Sequence, residues 1–157
     1  HGGANEDVIA MLEIIKTPDQ AATFVKDAIK TKRKIMGFGH REYKVKDPRA
    51  IILQNLAEEL FDRFGKDKMY EVAKKLEEEA IPELGKRGIY PNVDFYSGLV
   101  YRKLGIPRDL FTPIFAISRV AGWLAHWREQ LGANRIFRPS QIYTGSKPRK
   151  WMPLEKR

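Results

Sequence analysis

The sequence predicts an all-α protein. Apolar residues recur at spacings of three and four in one segment after another, and no stretch alternates with period two. Gly, Pro, Asn and Asp fall between those segments, where helices start and stop. The chain has 157 residues, 43% of them hydrophobic, enough for a core of ordinary domain size.

Residues 5–16 carry Val8, Met11, Leu12 and Ile15 on one helical face. Thr17-Pro18-Asp19 breaks that helix and starts a second, with Ala22, Val25, Ala28 and Ile29 inward. A third helix begins at Asp47-Pro48, Asp as N-cap and Pro at the first helical position. Its apolar run is Ile51, Ile52, Leu56, Leu60 and Phe64, and Gly65 ends it. Residues 66–84 repeat the pattern with Met69, Val72, Ala73, Leu76 and Ala80, and Pro82 is expected to bend or end the run. After a turn-rich linker from Gly85 to Pro91, Asn92 caps a helix that reaches Leu104 and closes at Gly105. Residues 109–131 form the most apolar helix, with a stripe of Ile117, Val120, Leu124, Trp127 and Leu131; Trp123 and Trp127 are read as core. His126 on this helix is read as structural. The tail from Asn134 is Pro-rich and basic, with a short strand expected at Gln141-Ile142-Tyr143.

Lys and Arg number 29 against 20 Asp and Glu, a net charge of +9. That balance favours anionic partners, and a basic helical nucleic-acid-binding module is one reading. The charge is spread along helices and mixed with Glu, without a nucleic-acid motif, so a nucleotide-bearing ligand and a dicarboxylate account for it equally well. Zero cysteines exclude disulfides and thiolate metal sites. No apolar run is long enough to span a membrane.

Chemistry concentrates in Gly37-Phe38-Gly39-His40-Arg41-Glu42-Tyr43-Lys44-Val45-Lys46-Asp47-Pro48-Arg49. Two glycines let the backbone turn tightly and approach a ligand, and a histidine titrating near neutrality follows at once. Lys44 and Lys46 bring cations to the same spot, and Arg49 lies on the opening turn of a helix aimed back at the loop. The composite suits a small anion beside a proton-transfer group.

This stretch closely resembles the signature of the citrate synthase family: Gly-aromatic-Gly-His, a basic residue, then Asp-Pro-Arg. His1-Gly2-Gly3-Ala4-Asn5-Glu6 upstream and Pro91-Asn92-Val93-Asp94-Phe95-Tyr96-Ser97-Gly98 downstream match in the family's order. The resemblance covers essentially the whole chain and implies the C-terminal part of a longer, mostly helical protein. Residues 1–98 would be a small mobile domain that binds coenzyme A, and residues 99–157 the end of a large dimer-forming domain. It further implies condensation of acetyl-CoA with oxaloacetate and hydrolysis of the product to citrate and CoA. There would be no metal and no permanently bound cofactor, and the enzyme would be a cytoplasmic homodimer of the tricarboxylic acid cycle. A 2-methylcitrate synthase taking propionyl-CoA shares the motifs.

Residue roles follow from the same resemblance. His1 would hydrogen-bond the thioester oxygen and stabilise the enol, in the manner of an oxyanion hole. His40 would donate to the carbonyl oxygen of oxaloacetate, and Asp94 would take the methyl proton. On physics alone Asp94, two residues after a capping Asn, is ordinary helix-start chemistry, and the helix dipole would weaken it as a base. Desolvation has to offset that. Arg49, Arg119 and Arg138 match carboxylate clamps, with Phe115 lining the pocket; for Arg49 and Arg119 the lesser alternative is a salt bridge to a neighbouring helix. Arg138 would reach the partner subunit's site. For CoA, the backbone of Ile35, Met36, Gly37, Phe38 and Gly39 would hold the adenine region, Lys44 and Arg87 the phosphates, with Asn92 and Val93 nearby.

Overall fold

The computed structural model describes residues 2–136, 140, 142–145 and 153–156. His1, Arg138 and Gln141 lie outside them. Among the described residues six α-helices follow in order: α1 Ala4–Ile15, α2 Ala21–Lys30, α3 Pro48–Phe64, α4 Lys68–Leu84, α5 Val93–Lys103 and α6 Phe111–Leu131. Among the described residues there is no strand; Phe38 and Pro91 form an isolated antiparallel bridge. No helix among them is long and apolar enough to cross a membrane. The chain divides into two compact units, His1–Val120 and Ala121–Arg157, and the division falls within α6.

In the first unit α5 is the central helix. Its residues from Val93 to Val100 are all buried, and α1 and α3 pack along it while α2 packs on α4. Close approach of α1 to α5 depends on Gly98, where a Cβ would come within 3.0 Å of the Asn5 carbonyl oxygen. The core runs from Val8, Leu12 and Ile15 of α1 through Val72, Ala73, Leu76 and Ala80 of α4 to Phe95, Tyr96 and Leu99 of α5.

The two expected caps are in place: Asp47 accepts the Arg49 amide with Pro48 at the first helical position, and Asn92 caps α5. A third, Asp67, caps α4 through the Tyr70 amide. Gly65, at φ 87°, follows α3, whose end is closed by Lys103: its Nζ donates to the carbonyls of Phe64 and Gly65 at 2.8 and 2.7 Å.

Several sequence expectations need correction. In α2, which follows a short 3-10 turn at Pro18–Gln20, the fully buried positions are Ala21, Val25 and Ala28, with Ala22 and Ile29 only half-buried. Most of the apolar run of α3 faces outward: Ile52 is 61% exposed and Phe64 69%, while Leu60 packs half-buried against the core and the buried positions are Ala50, Ala57 and Phe61. Small residues at 50 and 57 let α3 lie close on α5. Pro82 lies two residues before α4 ends at Leu84, within the expected run; its missing N–H falls in the last turn, and a 3-10 turn at Gly85–Arg87 follows. The stripe of α6 is exposed in this chain, Trp123 and Trp127 included, so the two indoles are not core here. Ile142 and Tyr143 adopt no strand. His126, on the second unit, is exposed and its Nδ1 lies 3.1 Å from Glu129 Oε2.

Candidate functional site

Asn92 stitches two of the sequence motifs together. Its backbone amide donates to the Gly37 carbonyl at 2.8 Å, its Nδ2 to the Gly39 carbonyl at 2.9 Å, and its Oδ1 accepts the Asp94 amide at 2.9 Å. The Gly39 amide in turn donates to the Tyr90 carbonyl at 2.8 Å. The turn before His40 and the first turn of α5 are therefore one hydrogen-bonded unit. Gly37 has no room for a side chain: at φ 79° a Cβ would lie 2.8 Å from Val8 Cγ2 and 2.9 Å from the Phe95 backbone. Gly39, at φ 91°, would bring a Cβ only into ordinary contact with Ile89 Cγ2 at 3.8 Å, and needs glycine for its backbone alone.

His40 is oriented by its own loop. Its Nδ1 accepts the amides of Glu42 and Tyr43 at 3.1 and 3.2 Å, and the Tyr43 ring stacks on the imidazole at 4.6 Å. Two donors on Nδ1 assign the ring proton to Nε2. Arg49 Nη2 stands 3.4 Å from that nitrogen. Both groups are donors, so the contact is no hydrogen bond between them; they converge on a place for an acceptor oxygen.

Asp47 holds Arg49 there. Its carboxylate, 1% exposed, accepts Arg49 Nε at 3.0 Å, Nη2 at 2.7 Å and the backbone amide at 2.9 Å. Burial alone would raise the Asp47 carboxyl, but the Arg49 pairing and the Val93 amide outweigh it and hold it below its ordinary value. The fork is only partly used, and the Arg49 guanidinium keeps an open side at 40% exposure.

Asp94 is in the opposite situation. It is 4% exposed, and burial pushes its carboxyl up to about 6. Arg49 and Arg119 pull it back down and Asp47 adds to the rise. Desolvation thus overrides the helix dipole that would have kept it a weak base. On α6, Arg119 lies over the Phe115 ring at 4.9 Å, and Phe115 is half-buried.

An open hollow of about 490 Å³ lies beside the loop. Ile35, Phe38, Gly39 and Arg87 line it as the sequence suggested, together with Ala28, Ile29, Leu84 and Ile89. Lys32, Arg33 and Lys34 also line it, three residues that the sequence reading does not single out. Their position directly before the glycine turn was the available signal. Met36 lines a separate groove with Met11 and Phe24, and Gly37 faces the core. Lys44 Nζ donates to the Arg41 carbonyl at 3.3 Å. Val93, nearly buried, gives its amide to Asp47. Lys46 corrects an expectation: its ammonium turns inward to Gln54 and Glu77, away from His40's loop. Asn5, next to the Gly2-Gly3 turn, is buried with its Nδ2 unpaired among the described residues. His1 and Arg138 lie outside the described residues.

Comparison with known proteins gives a consistent picture. A family model described as citrate synthase, C-terminal domain, matches residues 1–140. The chain is 60% identical over its full length to a citrate synthase of Synechocystis and 50% identical to one of Acidithiobacillus ferridurans. It spans about 40% of the length of those relatives. Among solved structures, it is similar to the ternary complex of carboxymethyl coenzyme A and oxaloacetate with citrate synthase from Thermoplasma acidophilum. There the TM-score is 0.79 at 43% identity, covering all of this chain and 42% of that one. A citrate synthase from Thermotoga maritima gives a TM-score of 0.78 at 45% identity, covering 43% of that chain.

Proposed function

The chain belongs to the citrate synthase family, and on that premise we propose that its full-length parent condenses acetyl-CoA with oxaloacetate and hydrolyses the product to citrate and CoA. The observation that carries the proposal is the triple bond set of Asn92. It ties the turn bearing His40 to the helix bearing Asp94, so a hydrogen-bond donor and a desolvated carboxylate act within one rigid unit.

Asp94 takes a methyl proton of acetyl-CoA, and the pair of electrons released forms the enol. Its elevated value suits that step: a carboxyl titrating at about 6 is a stronger base than an ordinary aspartate and is still ionised at neutral pH. The enol carbon attacks the keto carbon of oxaloacetate, and His40 Nε2–H donates to the oxygen on which charge develops. Arg49, oriented by Asp47, binds a substrate carboxylate with its open side. Arg119 and Phe115 line the same pocket, Arg138 enters the partner subunit's site in a homodimer, and His1 donates to the thioester oxygen. Water then cleaves the thioester, releasing the CoA thiol and leaving a carboxylate. The hollow beside Gly39 takes the adenine end of CoA, with Arg87, Lys32 and Arg33 meeting phosphates. No resident metal or cofactor enters the scheme.

We assign residues 1–98 to a small closing domain, 99–157 to the large one, the enzyme to the cytoplasm and the reaction to the tricarboxylic acid cycle. The second reading is a 2-methylcitrate synthase, since one extra methyl in the acyl pocket is worth only about 1–3 kcal/mol. The test is CoA thiol release by the parent with oxaloacetate and either acetyl-CoA or propionyl-CoA at matched concentrations. The proposal expects strong preference for acetyl-CoA. Equal or better use of propionyl-CoA moves the assignment to the second reading, and no release with either from a folded dimer overturns both. A nucleic-acid module would instead bind duplex or single strands with affinity falling steeply in salt.

A further inference from the structure

One buried charged group belongs to none of the chemistry above. Glu77, on α4, is 6% exposed, and its carboxylate is engaged on both oxygens. Oε1 accepts from Lys46 Nζ, and Oε2 accepts from the Tyr96 hydroxyl. Lys46 also donates to Gln54 of α3 and stands over the Tyr96 ring at 5.5 Å. Tyr96 is completely buried, and its phenol is raised above its ordinary value, first by burial and then by Glu77, so it stays a donor.

The connectivity of these residues is what matters. Lys46 directly precedes Asp47, which fixes Arg49 beside His40. Tyr96 follows Asp94 by two residues on the first turns of α5. Glu77 thus joins, from a third helix, the segment that carries the two donors to the segment that carries the base. An apolar side chain at 77 would fill the same space without the desolvation cost, so a buried ion pair here is poorly explained by stability alone. It is well explained by registration, because paired charges tolerate little displacement.

Resting on the proposed condensation, we propose that Lys46, Glu77 and Tyr96 are positioning residues that set the distance between the His40–Arg49 donors and Asp94. They touch no substrate and act through Asp47 and α5.

The experiment uses the full-length parent and follows CoA thiol release, with melting curves alongside. Lys46→Met removes the charge and keeps the stem, and Tyr96→Phe removes only the hydroxyl. Each should lower kcat about tenfold or more while KM for both substrates stays within about twofold, because misplacement of reacting groups acts on the transition state. Lys46→Arg, which can still reach Glu77, should recover most of the lost kcat. Glu77→Gln, which keeps hydrogen bonding, should fall between wild type and Glu77→Leu. Wild-type kcat in Lys46→Met and Tyr96→Phe overturns the inference. A loss of kcat that Lys46→Arg does not restore, or that merely follows the loss of melting temperature, overturns it too. The wild-type parent separates this from the function itself: if it releases no thiol, the condensation has failed and not the positioning.

Discussion

Asp94→Asn in the full-length parent should cut turnover by about 10²- to 10⁴-fold and at the same time stabilise the protein above pH 6. Unfolded, an aspartate titrates near 3.8; in this fold burial moves Asp94 to about 6. Below both values the carboxyl is protonated in either state and contributes nothing. Between them the unfolded chain releases its proton first, so the folded state loses stability as pH rises. Above 6 the loss is complete, and a shift of this size corresponds to roughly 3 kcal/mol at 1.36 kcal/mol per unit. Asparagine has the same shape and no charge to desolvate, and the cap on α5 is unaffected because Asn92 bonds the backbone amide of residue 94. The assay is urea denaturation of wild type and variant between pH 4 and 8, read as the difference in unfolding free energy. That difference should be near its minimum at pH 4, grow through pH 5–6 and level off by pH 7. A difference independent of pH, or a variant less stable than wild type at pH 7.5, would refute the reasoning.

Gly37→Ala forces a Cβ into Val8 and Phe95 at positive φ, so it should cost about 2–4 kcal/mol, measured by chemical denaturation of the parent. Asn92→Ala loses both the cap and the grip on Gly39, about 1–2 kcal/mol. Asn92→Asp keeps the capping oxygen and loses the Nδ2 donor, so it should cost less stability than alanine yet still lower kcat; equal stability loss in the two would contradict the split. Asp47 contributes stability above pH 4 that disappears as pH falls through its depressed folded value. Asp47→Asn should therefore be less stable than wild type at pH 7, with the gap narrowing as pH falls below 4 in the same denaturation series. Arg49→Lys keeps the charge but loses the fork, and KM for oxaloacetate should rise about tenfold or more in steady-state kinetics.

Local chemistry made much of this legible in the sequence. Asp47-Pro48, Asn92 and Gly65 mark helix ends because capping is decided within a few residues, and the structure places each at its helix end. The glycine turn, His40 and Arg49 came from one contiguous stretch, and they meet in the fold. Direction was harder to read. Periodicity identified an amphipathic α3 and α6 without saying which face is covered, and on α3 the small residues Ala50 and Ala57 take the inside while Ile52 and Phe64 stay out. Lys46 was misread because its partner Glu77 is 31 residues away, on another helix. Asp94 shows a similar limit. Its position at a helix start argues for an acidic carboxyl, and only the packing of Phe95, Tyr96 and their neighbours around the first turn supplies the burial that reverses it.

The central claim is that a desolvated Asp94, held to the His40 turn by Asn92, is the base that starts the reaction. Its most direct test is the pH dependence of kcat/KM for acetyl-CoA in the full-length parent, since that parameter reports groups of the free enzyme. The account predicts a rising limb with a midpoint near the Asp94 value of about 6 and a plateau above it. In Asp94→Asn the limb should vanish along with about 10²- to 10⁴-fold of the activity. A flat profile between pH 5 and 7 in the wild type, or an Asp94→Asn variant that keeps both limb and rate, would contradict it.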